Sequence, residues 1–216
     1  IAKGLKAMTS ILTNNGAMVA LQTLNSINMN LENTQNAIST GKDVATAKDN
    51  SAIWAISKVM ESDVAGFNAV GDSLALGEST VAVALAGAEQ ITDLLKEMKE
   101  KVVNATGENV DNGKLEAEVT ELKNQITSII KGSQFNGANL LNTAGGDLTV
   151  LSSLDRDSTG TVTASNITVS SVNFEASLDL TTIKVGTSAE ADASIDDIEK
   201  LIQTAVDGAA ALGASA

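Results

Sequence analysis

Between Ile53 and Val102 the chain repeats one interval pattern without interruption, stepping alternately by three and four residues. The positions are Ile53, Ile56, Met60, Asp63, Phe67, Val70, Leu74, Gly77, Val81, Ala84, Ala88, Ile91, Leu95, Met98 and Val102; all but Asp63 and Gly77 are apolar. An average step of 3.5 residues keeps one seam of a helix facing a partner helix along its whole length. At 1.5 Å per residue, such a helix is roughly 75 Å long. A helical pattern far longer than about 25 residues marks a coiled coil, a membrane span or a repeat. The chain therefore reads as mainly α, a coiled-coil-like rod whose work is packing against other rods.

Composition narrows the chemistry. Hydrophobic residues make up 43% of the 216 residues, enough for a real core, yet aromatics are only 2%. Much of the apolar content is Ala, which suits close helix packing and lines poor pockets. No Pro occurs, so no proline ring breaks a helix. A net charge of −13 with no cluster of Lys or Arg disfavours nucleic acid, whose phosphates would repel such a surface. Cys and His are both absent. That removes thiolate nucleophiles, Ser-His-Asp triads, disulfides and the usual zinc sites, and no catalytic, cofactor or metal residue is assigned. No run approaches about 18 consecutive apolar residues, so no membrane span is expected. Polar Thr13, Asn14, Asn15 and Gln22 interrupt the N-terminal region, which does not read as a cleavable secretory signal.

A first helix is expected from about Asn14 to Ser39, with its seam at Ala17, Leu21, Leu24, Asn28, Leu31, Gln35 and Ile38. Asn28 and Gln35 either fix register or stand where the partner leaves the seam wet. Gly41 suits a left-handed helix cap, and Asp49, Asn50 or Ser51 can cap the long helix. The turn cluster Asn104-Ala105-Thr106-Gly107 ends that helix. A third helix starts at Asp111 or Asn112, carries Leu115, Val119, Leu122, Ile126 and Ile129 on its seam, and stops at Gly132. The short connection favours an antiparallel return along the long helix. From Phe135 to Val185, Thr and Val runs punctuated by Gly145-Gly146 and Asp157-Ser158-Thr159-Gly160 argue for short strands and hairpins. The strand candidates are Leu148 to Leu151, Thr161 to Thr163, Ile167 to Val169 and Leu180 to Val185; a loose Ser/Thr-rich loop is the alternative. A last helix is expected from Ser194, with Ile195, Ile198, Ile202, Ala205, Ala209 and Leu212 on its seam. Its pattern still runs when the sequence stops.

Three segments, in order, resemble the bacterial flagellins. Ser133-Gln134-Phe135-Asn136-Gly137-Ala138-Asn139-Leu140-Leu141 is similar to that family's QFNG-x-x-LL segment. Asn36-Ala37-Ile38-Ser39-Thr40-Gly41-Lys42-Asp43-Val44 resembles its RLSSG-x-x-I turn, with Ala37 and Thr40 as departures. Lys48-Asp49-Asn50-Ser51-Ala52-Ile53-Trp54-Ala55-Ile56 resembles its DDAAGLAI segment, and Met8 to Asn14 is similar to the family's start. The resemblance implies a core helical bundle with a small β-hairpin region. It divides the chain into an extension at 1–7, an N-terminal helical segment of the filament core at 8–47, a long helix with its return helix at 48–134, a hairpin and loop region at 135–186, and the start of a C-terminal core helix at 187–216. Because flagellins end with two long helical segments, it also implies that most of the C-terminal helical region is missing, and that this piece alone assembles poorly.

The function so implied is structural: a secreted, extracellular subunit that self-assembles into the flagellar filament for motility, without enzymatic activity. Its partners would be other copies of itself, the flagellar export apparatus and chaperone, and the filament cap and junction proteins. The assembly seam would comprise Leu21, Leu24, Leu31, Ile38, Ile53, Ile56, Met60, Phe67, Val70, Leu74, Ile91, Leu95, Met98, Leu115, Val119, Leu122 and Ile126. Alternative readings are a hook-filament junction protein and a flagellin-like surface adhesin that binds glycans, with Trp54 the only indole to stack on a sugar. Vertebrate innate receptors bind flagellins at an L-Q-R-x-R-E-L segment and at an acidic residue of the next helix. Counted back from Gln134, these fall on Thr92 to Met98 and on Glu118. Leu94 and Lys96 stand where the family has arginines, with Glu97 and Met98 following, so the planar bidentate donor is lost. The resemblance with these departures implies weak recognition by such receptors.

Overall fold

The computed structural model describes residues 14–216. The readings made for residues 1–7, and for 8–13 of the apparent family start, lie outside the described residues. The chain forms two compact units, one ending at Val64 and the other spanning Ala65–Ala216.

The first unit holds α1 (Asn15–Thr40) and the beginning of α2 (Ser51–Ala105). Asn14 caps α1, its side-chain oxygen accepting from the Ala17 amide at 3.1 Å, and Gly41 ends it at φ +65°, the left-handed cap expected from the sequence. Of the three candidates for capping α2, Asn50 does so, accepting from the Ile53 amide at 3.2 Å. Asp49 instead closes the preceding turn by accepting from the Thr46 amide at 2.9 Å and its hydroxyl at 3.1 Å, which holds the Asp49 carboxyl below the usual range. Lys58 and Lys42 both pair with Glu61, at 2.6 and 3.1 Å, and depress its pKa in that order of importance. These pairs are exposed, so they orient the turn more than they stabilise it.

The second unit is a three-helix bundle with a hairpin on its flank. Its helices are the remainder of α2, α3 (Asn112–Gly132) and α5 (Ser188–Gly213); a single turn, α4 (Phe174–Ser177), precedes the last of them. Asp111 caps α3 through the Lys114 amide, within the expected start. Three contacts make α3 antiparallel to α2: Asn112 Nδ2 donates to the Ala105 carbonyl, Lys101 pairs with Glu118 at 2.7 Å, and Ser133 at the far end lies against Gly87. α5 also runs along α2, from the bond of Ser188 Oγ to the Thr106 carbonyl to Ser215, which lines one depression with Leu74 and Val81. Val81, Ile91, Leu95, Met98 and Val102 of α2 meet Val119, Leu122 and Ile126 of α3 and Ile198, Leu201 and Leu212 of α5 in one buried cluster. By length and composition alone α2 is apolar enough to cross a membrane, although it lacks a long unbroken apolar run.

β1 (Leu148–Arg156) and β2 (Val162–Val169) form an antiparallel pair with a bulge between Leu151 and Ser153. Two of the expected short strands are thus one: the runs Thr161 to Thr163 and Ile167 to Val169 merge into β2, which begins at Val162. Asp157 closes the turn between β1 and β2, accepting from the Thr159 amide and hydroxyl and the Thr161 amide, and these donors hold its carboxyl below the usual range. β1 lies against α2: the Leu151 amide donates to Ser73 Oγ at 3.2 Å, and a Cβ on Gly77 would sit 2.7 Å from Val150. Gly77, one of two gaps in the opening stripe, is therefore where the hairpin approaches the helix.

Three expectations need correction. Leu180 to Val185 is not a strand: Leu180–Thr182 is a short 3-10 helix, and no strand pairs with the residues after it. Ile183 and Val185 are still fully buried. Side chains satisfy their backbone instead, with Lys123 Nζ donating to the Ile183 carbonyl, Ser194 Oγ bridging the Lys184 amide and carbonyl, and Glu116 accepting from the Val185 amide at 2.7 Å. Burial there lowers the Lys123 pKa. Second, α5 starts at Ser188 rather than Ser194, because Thr187 caps it: its hydroxyl oxygen accepts from the Glu190 amide at 3.2 Å and donates to the Glu190 carboxylate at 3.2 Å. Third, the α5 seam is Ala191, Ser194, Ile198, Leu201, Ala205, Gly208 and Leu212. Ile195, Ile202 and Ala209 are only half-buried. Ser194 takes a seam position because its hydroxyl serves Lys184, and Gly208 because Phe174 fills the space: a Cβ there would lie 2.6 Å from its ring.

Gly208→Ala should lower stability by about 1–2 kcal/mol, overpacking against Phe174 outweighing the gain in helix propensity. Gly71→Ala, where nothing approaches within 4 Å, should raise it by about 0.5–1 kcal/mol. Denaturant unfolding followed by circular dichroism reads both; two changes of the same sign would contradict the packing described.

Candidate assembly surface

α1 has no buried residue among its 26. Its expected seam positions Leu21, Leu24, Leu31 and Ile38, together with Ile53, Ile56 and Met60 of α2 in the same unit, are each between 50% and 78% exposed. Asn28 and Gln35 are exposed as well. At 100° per residue the α1 positions fall on one face, which Ile27 widens, while Met18, Val19 and Met29 lie off it. Scattered exposed apolar side chains are ordinary, but contiguous rows of them mark surfaces that bind other molecules. Val59 and Val64 add to the apolar surface of α2 and lay outside the three-four template that picked out the seam. A broader count of apolar residues per turn would have found them.

Within the second unit the same stripe behaves differently. Val70, Ile91, Leu95 and Met98 are buried, Leu115 is half-buried, and Val119, Leu122 and Ile126 are buried. Phe67 and Leu74 remain exposed, at 59% and 40%. One periodic pattern thus contains two kinds of surface: residues buried within the second unit, and residues that stay exposed.

The QFNG-x-x-LL segment is the joint of the second unit. Asn136 and Gly137 adopt φ +49° and +85° in a two-residue turn closed by reciprocal bonds between Phe135 and Ala138. These are the signs of a type I′ turn, which Asn-Gly favours. Asn139, 4% exposed, then donates to the Ile130 carbonyl at 2.8 Å and accepts from the Leu141 amide at 2.8 Å. It satisfies a carbonyl left open at the end of α3 and seats Leu140 and Leu141 in the core. The sequence pointed to this segment by resemblance; the dipeptide Asn-Gly was the physical signal for the turn.

At the positions aligned with the receptor segment, Leu95 and Met98 are buried, Leu94 is half-buried and Glu97 is exposed. Lys96 pairs with Asp93 at 3.1 Å. Glu118 is held by Lys101, whose pKa is raised chiefly by that hydrogen bond. Trp54 lines a shallow depression of about 330 Å³ with Lys42, Ile53, Lys58 and Glu61. No group of three or more acidic side chains that could hold a metal ion occurs among the described residues.

A family model described as the bacterial flagellin N-terminal helical region matches residues 11–145. Flagellin A of Rhizobium meliloti (strain 1021) is 44% identical over 164 residues, covering 74% of this chain and 42% of that protein. Flagellin FljM of Caulobacter vibrioides is 39% identical over 212 residues, covering 97% of this chain and 76% of that protein. The chain thus spans about two-fifths of the first relative and three-quarters of the second. The crystal structure of Bacillus cereus flagellin matches with a TM-score of 0.55 at 22% identity, over 68% of this chain and 81% of that one. That last likeness concerns the fold, with its long helices and small sheet. With a family match over more than half its length and relatives of about two-fifths identity, this chain belongs to the bacterial flagellin family.

Proposed function

We propose that the protein carrying this chain is a structural subunit of a bacterial flagellar filament, polymerising through the apolar rows of its first unit. The observation that carries this reading is the exposed face of α1 and the start of α2, where the seam residues Leu21, Leu24, Leu31, Ile38, Ile53, Ile56 and Met60 are each at least half exposed. Burying apolar surface stabilises by about 25 cal/mol per Å². A contact between different patches of successive copies propagates into an open helical fibre when its rotation does not close a ring. The covered bundle of the second unit supplies a rigid body to carry along that fibre. In this reading the subunit acts outside the cell after passage through the flagellar export apparatus with its chaperone. The cap and junction proteins contact it at the filament ends, and it performs no catalysis. The family names of its relatives support this over a junction protein or an adhesin.

Leu24→Asp with Leu31→Asp, made in the complete protein, should abolish sedimentable filaments while leaving the thermal unfolding of the second unit unchanged. Filaments of normal yield from the double variant would overturn the assembly reading.

The altered receptor segment is proposed to make the protein a weak agonist of flagellin-sensing innate receptors. Restoring both arginines by Leu94→Arg and Lys96→Arg should raise a reporter-cell response by about tenfold, the factor that one hydrogen bond to a charged group, about 1.5 kcal/mol, supplies. A full response from the unmodified protein would sink this proposal.

A further inference from the structure

The geometry points to Asn136 as a site of spontaneous chemical modification, conversion through a cyclic imide to aspartate and isoaspartate. In an Asn-Gly step the Gly amide, after losing its proton to solvent hydroxide, attacks the Asn side-chain carbonyl carbon. The Cγ–Nδ2 bond breaks and ammonia leaves, giving a five-membered succinimide. Water then cleaves one of the two ring C–N bonds. Cleavage at Cγ leaves aspartate; cleavage at the main-chain carbonyl leaves isoaspartate, whose backbone runs through Cβ and Cγ and is one carbon longer. The absent side chain of Gly is what lets its nitrogen approach.

The second unit contains two Asn-Gly steps in opposite settings. Asn136 and Gly137 are both exposed, and nothing lies within 4 Å of where a Gly137 side chain would project. Among the described residues, neither the Asn136 side chain nor the Gly137 amide engages in a hydrogen bond; the turn is held by the bonds between Phe135 and Ala138 alone. Asn112 is half-buried in the first turn of α3, and its Nδ2 donates to the Ala105 carbonyl at 3.2 Å. Attack at Asn136 needs only local opening of a two-residue turn, whereas attack at Asn112 needs a side-chain bond broken and a helix end unwound.

The two products differ in consequence. Aspartate keeps the turn, because Asp-Gly favours the same type I′ geometry as Asn-Gly. Isoaspartate inserts an extra carbon between Phe135 and Ala138, so their reciprocal bonds no longer register. Three residues on, Asn139 bonds the end of α3 and seats Leu141. Isoaspartate at this turn therefore loosens the joint that closes the bundle, an irreversible marker of protein age.

The test is incubation of the native protein in warm, mildly alkaline buffer, with peptide mapping that separates aspartate from isoaspartate. Isoaspartate should accumulate at Asn136 about tenfold faster than at Asn112, the factor one net hydrogen bond supplies. In denaturant the two rates should converge. Asn136→Asp should fold with unchanged stability and yield much less isoaspartate at that position. Equal native rates at the two steps, faster conversion at Asn112, or no product at Asn136 while the denatured chain converts would each overturn the assignment. So would an Asn136→Asp variant as unstable as the isoaspartate-containing fraction.

Discussion

Everything in this chain depends on one constraint: a seam that repeats every 3.5 residues along a 55-residue helix must be covered somewhere. An apolar row of that length cannot curl back on itself, so its partners must be other helices. In the second unit α3 and α5 provide them, and the result is a core in which Ile91, Leu95, Met98 and Val102 are wholly buried. In the first unit the same kind of row on α1 and on the start of α2 meets nothing in the described chain. The proposed filament role follows from that asymmetry, because a covered bundle and an uncovered pair of rows are what a polymerising subunit requires.

The polar groups of the second unit show how the bundle closes without a larger sheet. Asn139 serves the end of α3, Ser194 and Glu116 serve the backbone of Lys184 and Val185, and Lys123 serves the carbonyl of Ile183. No buried side-chain nitrogen or oxygen is left without a partner among the described residues. Each of these residues replaces a ladder or capping bond that regular structure would otherwise supply, consistent with the high cost of burying an unpaired polar group. The glycines complement them: Gly77 admits Val150, and Gly208 admits Phe174.

Much of this was legible in the residues. Periodicity located α1, α2 and α3 and the Val81 to Val102 seam, and local signals placed Gly41 as a cap and Asp111 as a start. Periodicity failed where a polar or small residue occupies a core position for a tertiary reason. Ser194 reads from the sequence as the start of α5, and apolar spacing puts the seam on Ile195 and Ala209, beside the buried Ser194 and Gly208. The run Leu180 to Val185 had strand composition, but its partners are side chains of α3 and α5, which no local pattern reveals. Thr187 and Glu190 did carry a capping signature, which apolar spacing alone overlooked. For the candidate surface, the sequence identified the residues of the seam but not which of them the chain itself covers.

The central claim is that the seam from Val81 to Val102 is covered within the second unit, while the seam of the first unit is uncovered until copies associate. Hydrogen exchange followed by mass spectrometry, on the complete protein before and after polymerisation, tests it directly. The account predicts that amides of Asn15–Thr40 and of residues 51–64 exchange rapidly in the monomer and become protected in the polymer, while those of residues 81–102 are protected in both. Equal protection of the first-unit amides before and after polymerisation would contradict it.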